Sequence, residues 1–204
     1  MFNYLPLAAL VNNQVFCVHG GISPLLTSVD VVERINTPVL NYESSQLISD
    51  LVWSDPRDDV IGFTSNQRGS GTSFGPDKLH SFLYDNNLKL LIRAHQCIPD
   101  GYAPFHSAAG ITLFSCSNYC HIIDNKCGLI NLKAGGEVEL YSILVTSSRG
   151  LLPKQTISLF HRSSLSMPDS SQTNSRKNVK IQPSAKNNSA SSTGGLSLNL
   201  NLAN

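Results

Sequence analysis

Residues Asn13 to Pro24 read NQVFCVHGGISP. A four-residue apolar run, Val15-Phe16-Cys17-Val18, ends abruptly on His19, with Gly20 and Gly21 behind it. A short apolar run bounded by turn residues reads as a buried strand. The glycines have two readings. They supply positive φ for a tight turn, or they clear side-chain bulk from around an imidazole that a rigid strand delivers as a metal ligand beside a substrate. The same pattern returns downstream, where the apolar run Leu88–Ile92 leads into Arg93-Ala94-His95. Between the two lies NQRGSGTSFG, Asn66 to Gly75, with Arg68 directly before glycine. Two strand-end histidines with an arginine between them suit a metal-assisted site for an anionic substrate. The guanidinium fork matches phosphate oxygens in pairs. Each part also has a plain structural reading: His95 as a hydrogen-bonded core residue, RGSG as a surface loop.

Composition narrows the class. The chain has 204 residues, 41% of them hydrophobic, enough for one domain with a core. Its net charge of +1 gives no general attraction to nucleic acid or an anionic membrane. No apolar run approaches the roughly 20 residues that cross a bilayer. The start, MFNYLPLAALV, lacks the features of a secretory leader. Five cysteines without a framework spacing fit a reducing compartment, so the expected location is cytoplasmic, nuclear or both.

Along residues 1–146, apolar runs alternate with turn signals. Short helices are expected at Val29–Ile35 and Ser45–Leu51, a loop at Asp55–Asp59, and a glycine-rich loop at Asn66–Gly75. Pro76-Asp77 opens an amphipathic helix with Leu79, Phe82 and Leu83 on one side. Strands follow at Leu88–Ile92, Ile111–Ser115, Gly128–Leu132 and Val138–Val145. Helices early and a meander of strands late predict a layered α/β domain with a mixed sheet. Residues 147–204 are Ser- and Asn-rich with few apolar positions, and read as a disordered tail. Within it, RKNVKI (Arg176–Ile181) reads as a chance pattern, and the closing LSLNLNLAN, whose alternation also suits a short strand or a docking peptide, reads as a free end.

HGGISP, LVWSDP, NQRGSGTSFG, LLIRAHQCIPDGY and SCSNYC stand in the order and spacing of the serine/threonine phosphoprotein phosphatases of the metallophosphoesterase class. The chain resembles their type-1 and type-2A branch from Phe2 to about Val145. The resemblance implies a layered metallophosphoesterase-like α/β fold with mixed β-sheets flanked by helices. It implies metal ligands at His19 and His95, and a substrate-phosphate contact at Arg68. It further implies an active-site tyrosine at Tyr119, an acidic residue near the substrate groove at Asp55, and an inhibitor-loop position at Cys120. The implied reaction is one-step hydrolysis of phosphoserine and phosphothreonine. Two divalent ions (manganese, iron or zinc) activate a water that attacks phosphorus in line. The implied partners are phosphoprotein substrates and regulatory subunits, with no nucleic acid and no membrane.

The chain also departs from that pattern. The family motifs GDxHG, GDxxDRG and GNHE, which carry the remaining ligands, have no counterpart before His19. The expectation is thus a fold lacking its N-terminal half, an incomplete catalytic domain that binds at most one metal ion weakly. The alternative is a catalytically inactive truncated paralogue acting as a binding or regulatory module. On the same reasoning, the strand at Val15–Val18 is expected to expose an edge prone to aggregation. The family's usual SAPNYC is Ser115-Cys116-Ser117-Asn118-Tyr119-Cys120 here, and His121-Ile122-Ile123 replaces a glycine-acid-aromatic triplet.

Overall fold

A computed structural model describes residues 2–134 and 136–144. The tail expected over 147–204, its RKNVKI and LSLNLNLAN segments, and the domain boundary expected at 146/147 lie outside the described residues.

Five strands form the main sheet. They are β1 (Ala8–Val11), β2 (Val15–Val18), β6 (Leu90–Arg93), β7 (Tyr102–Phe105) and β8 (Gly110–Leu113), in the order β1-β2-β6-β8-β7. The central three, β2, β6 and β8, run parallel, and antiparallel β1 and β7 close the two sides. Period-two alternation divides the core between the two faces. Phe16, Val18 and Leu91 join one cluster with Leu79, Phe82 and Leu83 of helix α3 (Pro76–Asp85). Val15, Leu90 and Ile111 join a second cluster with Val138 and Leu140 of the antiparallel hairpin β9 (Cys127–Leu132) and β10 (Val138–Ile143). A strand buried on both faces reads as a continuous apolar run, as VFCV does. The mixed, layered α/β architecture is the expected one.

The expected exposed edge at Val15–Val18 is corrected here. β2 is an interior strand, paired with β1 on one side and β6 on the other. The reason is local. Asn12 and Asn13, both with positive φ, turn the chain back so that Ala8–Val11 hydrogen-bonds onto β2.

Both expected helices form: α1 is shorter than expected, at Asp30–Glu33, and α2 runs two residues further, at Gln46–Trp53. Ser45 caps α2 by accepting from the Ile48 amide. Two loop expectations need amending. Asp55–Pro56 (β3) pairs with Thr72–Phe74 (β5), and β5 pairs with Phe63–Ser65 (β4). The glycine-rich segment therefore ends as a strand, because Thr72-Ser73-Phe74 finds backbone partners on both sides. Strand β7 carried no clear sequence signal, since Pro104 sits inside it at the sheet edge, where a missing N–H is tolerated.

Candidate functional site

The carboxyl ends of β2, β6 and β8 open onto one cavity of about 750 Å³, lined among others by His19, Trp53, Arg68, Arg93, His95 and Tyr119. Ligands of open α/β sheets collect outside strand carboxyl ends, where loops diverge and side chains converge.

Helix α2 is the platform for the His19 turn. Its Leu51 carbonyl accepts the Gly20 amide at 2.7 Å, and Ser23 Oγ donates to buried Asp50 Oδ2 at 2.5 Å. Neither Gly20 nor Gly21 has positive φ. The tight-turn reading of HGG thus gives way to a steric one. A Cβ on Gly20 would press into the Val52–Trp53 backbone, and one on Gly21 into the Phe74 ring. The glycines let a strand end, a helix end and an aromatic ring pack at van der Waals contact.

The two histidines meet. The Ala94 amide donates to the His19 carbonyl at 2.9 Å, and the rings stand edge to face with centroids 5.4 Å apart. His95 has φ +58, which turns its ring away from the direction of β6, and Trp53 packs edge-on against it at 5.3 Å. Burial, followed by the positive charge of Arg93, lowers the His19 pKa. Burial lowers that of His95 to about 4, against the opposing pull of Asp55, with Arg93, Arg68 and His19 adding to the fall. Both rings are neutral at pH 7 and offer lone pairs.

Arg68 reaches the cavity from the glycine loop. Its Nε donates to Asp55 Oδ2 at 2.8 Å, and among the described residues neither terminal nitrogen is engaged. Asp55 stands behind it, almost fully buried, and does not line the cavity. Its Oδ2 also accepts from Asn66 Nδ2 at 3.1 Å, and its Oδ1 from Arg93 Nη2 at 2.8 Å. Burial raises the Asp55 pKa, but the Asn66 and Arg68 hydrogen bonds, with Arg93 and His95 nearby, outweigh it and hold it low. The carboxylate is thus a permanent anion that orients a guanidinium from behind.

Tyr119 enters from the loop after β8, its ring edge-on to Phe114 at 5.0 Å. Asn125, buried, fixes that loop. Its Oδ1 accepts from the Tyr119 amide, and its Nδ2 donates to the carbonyls of Cys116 and Lys126. Cys120 lies on the same loop, exposed and outside the cavity lining. His19, His95, Arg68 and Tyr119 therefore come together, Asp55 supports them, and Cys120 stands apart.

Two residues gain importance only in three dimensions. Asn125 is one. Arg93 is the other, and its signal was a charge ending the apolar run LLIR. Burial lowers its pKa to about 10 against the pull of Asp55, so it remains charged.

His95 Nε2 is a buried nitrogen without a hydrogen-bond partner, an arrangement that costs free energy unless something binds there. Two neutral imidazoles facing one cavity fit a divalent ion as two of its ligands. Among the described residues, no group of three His, Cys, Asp or Glu side chains is placed to hold one. The pair supplies part of a coordination shell and not the whole.

Residues 1–99 match the calcineurin-like phosphoesterase family. A solved protein serine/threonine phosphatase from Saccharomyces cerevisiae, described as having similarity to human phosphatase PP5, aligns with a TM-score of 0.65 at 26% sequence identity. The alignment covers 72% of this chain and 49% of that one, so the chain spans about half the length of the solved structure it matches.

Proposed function

From the match of residues 1–99 to the calcineurin-like phosphoesterase family, we propose that the cavity of this chain serves the hydrolysis of phosphoserine and phosphothreonine in proteins. The observation that carries the reading is the convergence on one cavity of two neutral histidines and an arginine whose terminal nitrogens have no partner among the described residues. His19 and His95 are the proposed metal ligands. Arg68 is the proposed phosphate contact, its fork meeting two phosphate oxygens while Asp55 holds its Nε. Tyr119 lines the same cavity as the proposed active-site tyrosine, and Asp55 keeps Arg68 aimed.

The family uses divalent metal ions, which supply Lewis acidity and an activated water when bound. Manganese, iron and zinc are the proposed ions: imidazole donors suit iron and zinc, and manganese suits the carboxylate and water ligands that would share such a site. The proposed setting is cytoplasmic or nuclear, which five unpaired cysteines support. Phosphoproteins are the proposed substrates, with regulatory subunits as further partners. Among the described residues no helix is long and apolar enough to cross a membrane.

The test is release of inorganic phosphate from phosphoserine and phosphothreonine peptides with each metal supplied, beside a small aryl phosphate. Turnover of the aryl ester alone would refute the protein substrate. One observation favours a second reading: among the described residues no third ligand joins the two histidines. A phosphopeptide-binding module without turnover would bind the same peptides and release no phosphate.

A further inference from the structure

Arg93 has a fully buried side chain at the end of β6, yet it makes hydrogen bonds to three separate parts of the chain. Its Nε donates to the Gly20 carbonyl behind His19 at 2.5 Å, and its Nη2 to the Ser54 carbonyl at 2.9 Å and to Asp55 Oδ1 at 2.8 Å. Its Nη1 donates to Gln96 Oε1 at 2.9 Å, just past His95. The opposite oxygen of Asp55 accepts Arg68 Nε at 2.8 Å. A buried charge is a poor device for stability alone, since an apolar side chain of similar volume packs the same space without losing hydration. What a planar fork adds is direction: donors set at fixed angles to one another lock two backbone carbonyls, the Gln96 side chain and a carboxylate in mutual register.

We propose that Arg93 is a positioning residue for the cavity, fixing the His19 turn through Gly20 and aiming Arg68 through Asp55. The use of the aimed Arg68 for phosphate rests on the functional reading above, but the aiming does not. If Arg93 is lost, Asp55 keeps its charge and loses its fixed orientation, and Arg68 loses the anchor that points its terminal nitrogens into the cavity. A lysine restores the charge and cannot restore the three-way geometry.

The test follows the Arg68 Nε–H resonance by NMR in the full ¹⁵N-labelled chain, in wild type, Arg93→Lys, Arg93→Gln and Leu83→Ala. Leu83 is a buried core residue on α3, outside this network. In wild type the resonance is expected to show a positive heteronuclear NOE and slow exchange with water. In both Arg93 variants the amide spectrum stays dispersed, while the Arg68 Nε–H loses its NOE and exchanges about tenfold faster or more, the scale of one lost charge-assisted hydrogen bond. In Leu83→Ala it stays ordered. The proposal is overturned if Arg68 remains ordered in both Arg93 variants, or if Leu83→Ala loosens it equally. It is also overturned if Arg93→Lys collapses the dispersed spectrum, which would assign Arg93 to the fold as a whole. Inorganic phosphate added to the same samples separates the two claims. Failure to perturb Arg68 in wild type removes the phosphate site, while the Nε–H order alone decides positioning.

Discussion

Replacing Gly20 by alanine would put a Cβ 2.6 Å from the Trp53 amide nitrogen and 2.6 Å from the Val52 carbonyl oxygen, with the Val52 carbonyl carbon closer still. These are backbone atoms at the end of α2, with no flexible tip to swing aside. The turn itself is held on both sides, because the Gly20 amide donates to Leu51 and its carbonyl accepts from Arg93. Overpacking costs about 1–3 kcal/mol. Stretching a backbone hydrogen bond and a charged one adds about 2 kcal/mol. The expected loss is therefore about 3–5 kcal/mol, a large share of the roughly 5–15 kcal/mol that holds a domain together. Urea titration followed by far-ultraviolet dichroism and by fluorescence of Trp53, the one tryptophan of the chain, measures it. Gly69→Ala is the control. Its φ is +85 with nothing near its Cβ, so it carries only the left-handed backbone penalty of about 1–2 kcal/mol. A loss at Gly20 under about 1 kcal/mol, or smaller than that at Gly69, would refute close approach as the reason for the HGG glycines.

Asp55→Ala leaves the buried Arg93 charge without its carboxylate and is expected to cost about 3–5 kcal/mol, while Asp55→Ala combined with Arg93→Met recovers part of that in a double-mutant cycle; additive losses would contradict a coupled pair. Arg68→Ala removes an exposed fork and is expected to weaken inorganic phosphate binding tenfold or more, at roughly 1.5–3 kcal/mol per charged hydrogen bond, with thermal stability little changed; isothermal calorimetry reads both affinity and its absence. Zinc or manganese titration should give no more than one weak equivalent, abolished in His95→Ala, and two tight equivalents would contradict the partial ligand set. Acid should destabilise the chain early. The pKa of His95 is lowered to about 4 and those of His19 and His106 are lowered too, each mainly by burial, so the unfolded chain, titrating near 6.5, holds more protons than the folded one between those values. Stability is then full above about pH 6.5 and falls as pH drops toward 4; urea midpoints at pH 7.5, 5.5 and 4.5 that do not decline would remove this linkage.

Much of the site was legible along the chain. An apolar run that stops on a histidine encodes both a strand and the place where its imidazole emerges, since backbone period and side-chain type are local properties. VFCVHGG and LLIRAH therefore announced their strands and their histidines, and RGSG announced an arginine on a loop. The helix at Pro76–Asp85 was equally local, set by proline at its start and apolar spacing along one face. Pairing was not local. Whether β2 has one neighbour or two depends on a turn at Asn12-Asn13 folding Ala8–Val11 back, and AALV reads the same on or off a sheet. Nor does any feature of the sequence say why Gly20 is glycine, because the atoms that exclude a Cβ belong to Val52 and Trp53 on another element. Arg93 and Asp55 make the same point in charge. Each alone reads as a surface residue near a motif. Burial 38 residues apart in sequence, oxygen against nitrogen at 2.8 Å, makes them one unit. Residue identity sets which chemistry is available, while only the packed backbone decides which groups lose their water and must find each other instead.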